Sequence, residues 1–473
     1  MRILIISLAL SLLAGCAQNP VSGKSDFVMM SEEQEIAIGR QYNEQAIKKQ
    51  YQVYGSKALQ DYVDRIGQKL AKNSHRPNLQ YRFSVLDTPE VNAFALPGGY
   101  VYITRGIMAY LNSEAELAAV LGHEIGHVTA RHPVRQQSAA QATNLGLAVA
   151  SIFVPQIGSN LGQNLVNIMG GALLSGYGRE HELEADRLGA QYLARSDYDP
   201  QAIIRVLRVL KNQELKDAEL AKQEGREPRR YSGLFATHPD NDTRLKEVVG
   251  EADKLAPAKP FEGRAEFLAA TEGLVFGDNS EQGVVRNNHF RHGELGIALK
   301  FPETWRVHNL PNALIAVSPQ GAARLQMKMD HKPGGSPVEY ARRLAGYGAE
   351  IRSLEINGLP AALFDLPNSV GGVVYANKQA FILQGQGKTR QDLAAYRNEI
   401  IDTVYSFHAL TAEERKRVKP LGIRTITAIQ GDTYAGLARN SPLGKSAEGY
   451  LRLINAQYPD GEPRAGQRIK IVE

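Results

Sequence analysis

His123-Glu124-Ile125-Gly126-His127 sets two imidazoles four residues apart with a carboxylate between them. Four helical residues turn the chain by about 400°, so His123 and His127 lie roughly 40° apart on one face and can reach one metal ion. Glu124 projects beside them, where it can take a proton from a metal-activated water and return it to a leaving amine. This is the pattern of a metal-dependent peptide hydrolase. The flanks predict a helix. Ser113 stands three residues before Glu116, the spacing of a capping box, and Glu116 to Val128 is apolar at helical spacing without proline. Gly122 and Gly126 each cost about 1 kcal/mol of helix propensity, which points to close packing or metal-side access there.

A catalytic zinc needs a third protein ligand and an open position. Metzincins take the third ligand from a histidine ten residues after the first. Here Pro133 occupies that place, Ala130 stands where their glycine would be, and His132 is one residue out of register. His132 therefore reads as a helix-end or surface histidine. A better candidate lies in a second predicted helix, Gly178-Arg-Glu-His-Glu-Leu-Glu-Ala-Asp-Arg-Leu-Gly-Ala190, where Glu182 and Asp186 share a face. Glu182 can coordinate while Asp186 braces a ligand histidine from behind. Glu180 and Glu184 fall on other faces, solvated or paired with Arg179 and Arg187.

Together with Asn92-Ala93-Phe94-Ala95-Leu96-Pro97-Gly98-Gly99-Tyr100-Val101-Tyr102-Ile103-Thr104, these two motifs resemble the gluzincin peptidases that include the CAAX prenyl proteases, HtpX and the BepA-like lipoprotein proteases. The resemblance covers roughly residues 30 to 250 and implies a zinc metalloendopeptidase with one Zn2+ per chain, held by His123, His127 and Glu182. It also implies that the strand around Asn92, Ala93 and Phe94 lies at the edge of the cleft and pairs with extended substrate, although from sequence alone the stretch is equally a plain hairpin. A further likeness is Thr237-His238-Pro239 with Arg244 six residues after the histidine. In such relatives a histidine at this place approaches the metal and holds the enzyme inactive; the other roles open to His238 are stabilising the transition state or capping a helix.

The N-terminus bears on the compartment. Met1-Arg2 precedes an apolar run, Ile3 to Leu13, too short to span a bilayer, and Leu13-Ala14-Gly15-Cys16 resembles a bacterial lipoprotein box. Cys16 is the only cysteine among 473 residues and so has no disulfide partner within the chain. The expectation is a signal peptide over 1–15, a lipidated Cys16 at the start of a polar tether over 16–30, and an outer-membrane lipoprotein facing the periplasm.

With 55 basic and 50 acidic residues the net charge of +5 is small, and no basic cluster with interleaved aromatics argues for nucleic acid. The fold class expected is α+β. A mainly helical zincin-type peptidase domain with a small edge sheet fills 31–255, with Val134 to Gly178 forming amphipathic helices over the cleft as packed core or lid. After a linker signal, Pro257 to Arg264, an α+β domain with a mainly antiparallel sheet covers 265–410, alternating strand-like pieces (Ile297 to Phe301, Ala313 to Val317, Arg324 to Met329, Ala361 to Asp365, Gly372 to Ala376, Gln379 to Leu383) with helix-like pieces at Pro337 to Tyr347 and Arg390 to Ser406. Residues 421–473 resemble a βααβ LysM peptidoglycan-binding module, carried by Ile426-Thr-Ala-Ile-Gln-Gly-Asp-Thr433 and Gly466-Gln-Arg-Ile-Lys-Ile-Val472. The partners expected are unfolded or misassembled envelope proteins, the membrane through the N-terminal lipid, and peptidoglycan. The rival reading is an envelope chaperone or assembly factor, or a cell-wall-associated binding protein, that uses the same cleft with little proteolysis.

Overall fold

The computed structural model describes residues 16–28, 30–138, 177–223, 238, 244, 247, 252, 254–255, 257–310, 313–331, 333–346, 349–416 and 418–473. The expected signal peptide and most of the Val134 to Gly178 stretch lie outside these residues. The chain divides into two units, one built from Met1–Lys216, Arg229–Leu274 and Ile423–Glu473, the other from Asp217–Pro228 and Val275–Gly422.

Within the stretch expected as a polar tether, Cys16–Gln18 pairs antiparallel with Ser25–Phe27, and the Asn19 side chain closes the turn by accepting the amides of Val21 and Ser22. Helix α1 (Glu32–Tyr42) follows behind a complete Ser31/Gln34 capping box, and α2 (Lys57–Lys72) buries Leu59, Val63, Ile66 and Leu70 along one stripe. Strands β1 (Arg82–Leu86), β2 (Ala93–Leu96) and β3 (Tyr100–Thr104) form a sheet in the order β1-β3-β2, parallel between β1 and β3 and antiparallel between β2 and β3. This leaves β2 on the edge. Helix α3 (Glu114–Thr129) carries the His-Glu-x-x-His motif and is buried along its whole length. It packs on α4 (Arg179–Arg195), after which α5 (Ala202–Gln223) runs on.

The segment Pro257 to Arg264, which reads as a linker, is hydrogen-bonded into this unit. The Glu114 amide donates to the Gly263 carbonyl at 3.2 Å, and Phe261 exchanges backbone bonds with Asp197 and Asp199. The chain leaves the unit ten residues later, after Leu274.

In the second unit β4 (Arg306–Leu310), β5 (Ala313–Val317), β6 (Ala323–Asp330), β7 (Glu350–Ile356), β8 (Leu359–Leu366), β9 (Ser369–Ala376) and β10 (Gln379–Gly387) form one antiparallel sheet in the order β4-β5-β6-β10-β9-β8-β7. The two-residue turn Asn357-Gly358, with φ of 50° and 79°, joins β7 to β8 in the handedness a tight hairpin needs. Both faces of the sheet are covered. Helix α6 (Pro337–Ala345) covers one face through Ala341, and α7 (Arg390–Tyr405) covers the other through Leu393, Ile400 and Val404, alongside Trp305 and Phe381. The last segment, which rejoins the first unit at Ile423, runs β11 (Leu421–Thr427), α8 (Tyr434–Ala438), α9 (Ala447–Ile454) and β12 (Arg468–Val472), with β11 and β12 antiparallel. Lys470 on β12 is buried and donates at 2.7 Å to the carbonyls of Ala109 and Leu111, just ahead of α3.

Candidate metal centre

The start of α3 is fixed by Ser113, whose hydroxyl accepts the Glu116 amide at 3.2 Å. The other half of the expected capping box is displaced by one residue: the Glu116 carboxylate accepts the Asn112 amide at 2.7 Å. Further along, α3 and α4 cross where neither carries side-chain bulk. A Cβ on Gly126 would lie 2.9 Å from the Ala185 carbonyl oxygen, and one on Gly189 would lie 3.1 Å from the His123 nitrogen. The two glycines of the motif helix therefore serve packing, and that packing brings Glu182 on α4 against the histidine pair on α3.

Four donor atoms converge there. One atom each from His123, His127, Glu182 and His238 lies within 4.8 Å of every other, all four residues buried. His123 Nε2 is 3.0 Å from His127 Nε2 and 3.1 Å from His238 Nδ1. Glu182 is 3.5 Å from His123 Nε2, 3.4 Å from His127 Nε2 and 3.0 Å from His238 Nδ1. Zinc bonds of roughly 2.0–2.2 Å set neighbouring corners of a tetrahedron about 3.3–3.6 Å apart, so the set has the size and the N/O chemistry of a zinc site. Glu124 lies alongside. Neither of its buried carboxylate oxygens accepts a hydrogen bond among the described residues, and His238 Nε2, itself without one, is 3.4 Å from Oε1. Buried polar atoms without partners, converging on one point, need an ion or water to satisfy them.

The surroundings prepare the set. Asp186 meets His123 Nδ1 at 2.8 Å, as the shared face of α4 predicts, and Arg244 grips both oxygens of Asp186 at 2.7 Å while standing 3.1 Å from Glu182. Burial opposes ionisation of Asp186, but the Arg244 guanidinium outweighs it and holds the carboxyl down to about 2. Burial drives the His127 imidazole well below its usual range, keeping it neutral as a ligand must be. Burial also raises the Glu124 carboxyl, the direction a general base requires.

His132 is not among the four converging donors, yet it is not a surface residue either. It is fully buried against His127, and Glu184 is its partner rather than being left to solvent, Arg179 or Arg187. The Asn92 to Phe94 stretch sits at the start of edge strand β2, with Phe94 stacked on Tyr102 at 4.9 Å. A cleft lined by Tyr42, Tyr51, Asn92, Phe94, Tyr177 and His238 runs from this strand to the donor cluster. Tyr177 brings an unforeseen ring to this cleft. Its ring stacks on His127 at 4.0 Å, a contact without a sequence signal because residues 127 and 177 are far apart in the chain.

Residues 57–252 match the model of peptidase family M48. This part of the chain is an M48 peptidase domain. M48 metallopeptidases use zinc, which the donor set fits. The chain is 32% identical over 259 residues to a beta-barrel assembly-enhancing protease of Yersinia pestis, covering 53% of this chain and 50% of the relative. It is 30% identical over 245 residues to the protein of that name from Escherichia coli K12, covering 50% and 48%. A mitochondrial metalloendopeptidase OMA1 of Arabidopsis thaliana is 35% identical over 132 residues, 28% of this chain and 26% of that one. The chain thus spans about half the length of the beta-barrel assembly-enhancing proteases it matches. Among the described residues no helix is long and apolar enough to cross a membrane.

Proposed function

We propose that the chain is a zinc-dependent endopeptidase whose site rests in an occluded state. The observation that carries this is the four-cornered donor set. His123, His127 and Glu182 would hold the metal, and His238 stands at the fourth corner, where an active zinc peptidase needs an open position. Zinc bound there supplies Lewis acidity toward the scissile carbonyl and acidifies water. Glu124, raised by burial and without a hydrogen bond among the described residues, takes the proton of the attacking water and returns it to the leaving amine. Asp186, bonded to His123 Nδ1, fixes the tautomer that presents Nε2 to the metal. Among the described residues no strand pairs with the outer edge of β2, and an extended substrate strand would add there along the aromatic cleft. Once displaced from the fourth corner, His238 can donate to the developing oxyanion.

The two beta-barrel assembly-enhancing relatives, with the lipoprotein-like N-terminus, support placing the enzyme in the bacterial envelope, anchored through Cys16 and facing the periplasm from the outer membrane. Misassembled or damaged envelope proteins are then its substrates, and the LysM-like segment 421–473 its link to peptidoglycan. Occlusion by His238 also favours a second reading, an assembly factor that holds clients and cleaves rarely. The test is zinc content and casein cleavage by the full chain in detergent, alongside Glu124→Gln and His238→Ala. About one zinc per chain, activity lost in Glu124→Gln and gained in His238→Ala is the expected result. Activity lost in His238→Ala assigns His238 to oxyanion stabilisation instead, and no bound zinc overturns the enzyme reading. Client binding without cleavage in the wild type favours the assembly factor.

A further inference from the structure

Helix α3 stops just short of His132 by an unusual device. Arg131 adopts φ of 55°, the left-handed region that glycine normally supplies after a helix, and its side chain is held there by a 2.8 Å bond to buried Glu35 and a 3.0 Å bond to the Met30 carbonyl. Glu35 is fixed in turn by Arg76 at 2.8 Å. With Arg131 in this conformation a new helical turn begins at His132, and the His132 ring packs against that of His127 at 4.9 Å. Their Nδ1 atoms are 2.8 Å apart. On its other side His132 Nε2 meets Glu184 Oε2 at 3.0 Å, and Arg135 holds the same oxygen at 3.0 Å.

The proton positions in this chain follow from the donor cluster. Nε2 of His127 faces Glu182 and His123 and offers its lone pair there, so the ring's hydrogen is on Nδ1. His127 is then the donor to His132 Nδ1. That leaves the His132 hydrogen on Nε2, from which it donates to the Glu184 carboxylate. Every ring nitrogen has one role, and no arrangement with His132 reversed satisfies both contacts. We propose that His132, backed by Glu184 and Arg135, is a positioning residue for the metal site that fixes the tautomer and ring orientation of His127, as Asp186 does for His123. The two ligand histidines on α3 are thus braced from α4 by two acidic residues two positions apart, one acting directly and one through an intervening imidazole.

The inference rests on the zinc reading above, and its test separates the two. Zinc affinity of the full chain is measured by chelator competition, together with the visible spectrum of the cobalt(II)-substituted protein and the melting temperature of the metal-free form. His132→Ala and Glu184→Ala are compared with His132→Gln, whose amide keeps an acceptor and a donor. The expected result is about 10- to 100-fold weaker zinc binding in His132→Ala, the usual loss when a ligand's backing partner is removed, with an altered cobalt spectrum. A smaller loss in Glu184→Ala and substantial recovery in His132→Gln complete it. Unchanged affinity in His132→Ala overturns the proposal while leaving the zinc site standing. A fall in metal-free melting temperature with an unaltered cobalt spectrum and no recovery in His132→Gln also overturns it, since His132 would then be only a core residue. A wild type that takes up no zinc removes the zinc reading and this one with it.

Discussion

Alanine at Gly126 and alanine at Gly122 should part company, although both lie on one buried helix. Either substitution gains about 1 kcal/mol in helix propensity. At Gly122 the added methyl would meet the Leu193 Cδ1 at 3.0 Å, the far end of a side chain that can turn away. At Gly126 it would meet backbone, 2.9 Å from the Ala185 oxygen and 3.1 Å from the Ala185 Cα. The first of those is 0.5 Å inside an ordinary 3.4 Å contact, and the backbone of α4 must retreat to relieve it. Overpacking of this kind costs about 1–3 kcal/mol. Net of propensity, Gly126→Ala is expected to lose up to about 2 kcal/mol, and Gly122→Ala to change stability by less than about 1 kcal/mol. The larger effect should be on the metal. Ala185 lies between Glu182 and Asp186, so a retreat of α4 separates Glu182 from the two histidines, and constellations of this kind tolerate only about 0.5 Å of misplacement. Urea midpoints and chelator competition on the full chain measure both quantities. Equal zinc affinity in the two variants would refute the argument that the glycine crossing sets the ligand spacing.

Lys470 should show in the pH dependence of stability, because burial pushes its ammonium down to about 7 while the unfolded chain holds the proton to above 10. Between these values the unfolded state binds more protons, so the wild type gains stability as pH rises from 7 toward 10, at up to about 1.4 kcal/mol per unit, and Lys470→Met does not. Urea midpoints at pH 6.5 and 9.5 test this, and a wild-type advantage that shrinks with pH contradicts it. Arg244→Ala strands Asp186 and Glu182 as buried carboxylates and should destabilise the metal-free chain by about 3–5 kcal/mol. Arg244→Lys should recover only part of this in the same titration, since one ammonium cannot match the two-pronged grip on Asp186. Trp305→Ala, which empties a site in the core between β-sheet and α7, should cost about 3–5 kcal/mol and lower only the transition of the second unit in calorimetry.

How far the sequence could be read depended on where the signal was local. The motif helix was legible from its cap and apolar spacing, and Glu182 and Asp186 from their separation of one helical turn. In the second unit the expected strands at Ala313 to Val317 and Gln379 to Leu383, and the helices beginning at Pro337 and Arg390, correspond closely to the elements present. The two strands of the large sheet that escaped, Arg306–Leu310 and Glu350–Ile356, are its two edges. Edge strands bury less and carry charge to deter further pairing, so their alternation is weak. His132 escaped for another reason. Spacing speaks only to whether it can be a ligand, whereas its actual place depends on a left-handed Arg131 held by Glu35, ninety-six residues away. The hairpin at Cys16 and the incorporation of Pro257 to Arg264 into the first unit likewise depend on partners that composition does not reveal.

The route of the chain between the units sets an order of construction. Gly273 donates to the Ile423 carbonyl and Ile423 donates back to the Leu274 carbonyl, both at 2.8 Å, so the chain returns to the point from which it left. All four donor residues have been synthesised by residue 238, but the strands that seal the unit begin at Leu421. At about 5–20 residues per second, some 180 residues separate these events by roughly 10–40 s of translation. A nascent chain can therefore carry every candidate ligand while lacking the strand whose Lys470 anchors the approach to α3. The first unit is therefore complete only after the intervening sheet domain has been made, so the length of that insertion sets the delay between the donor residues and the strand that braces the helix carrying two of them.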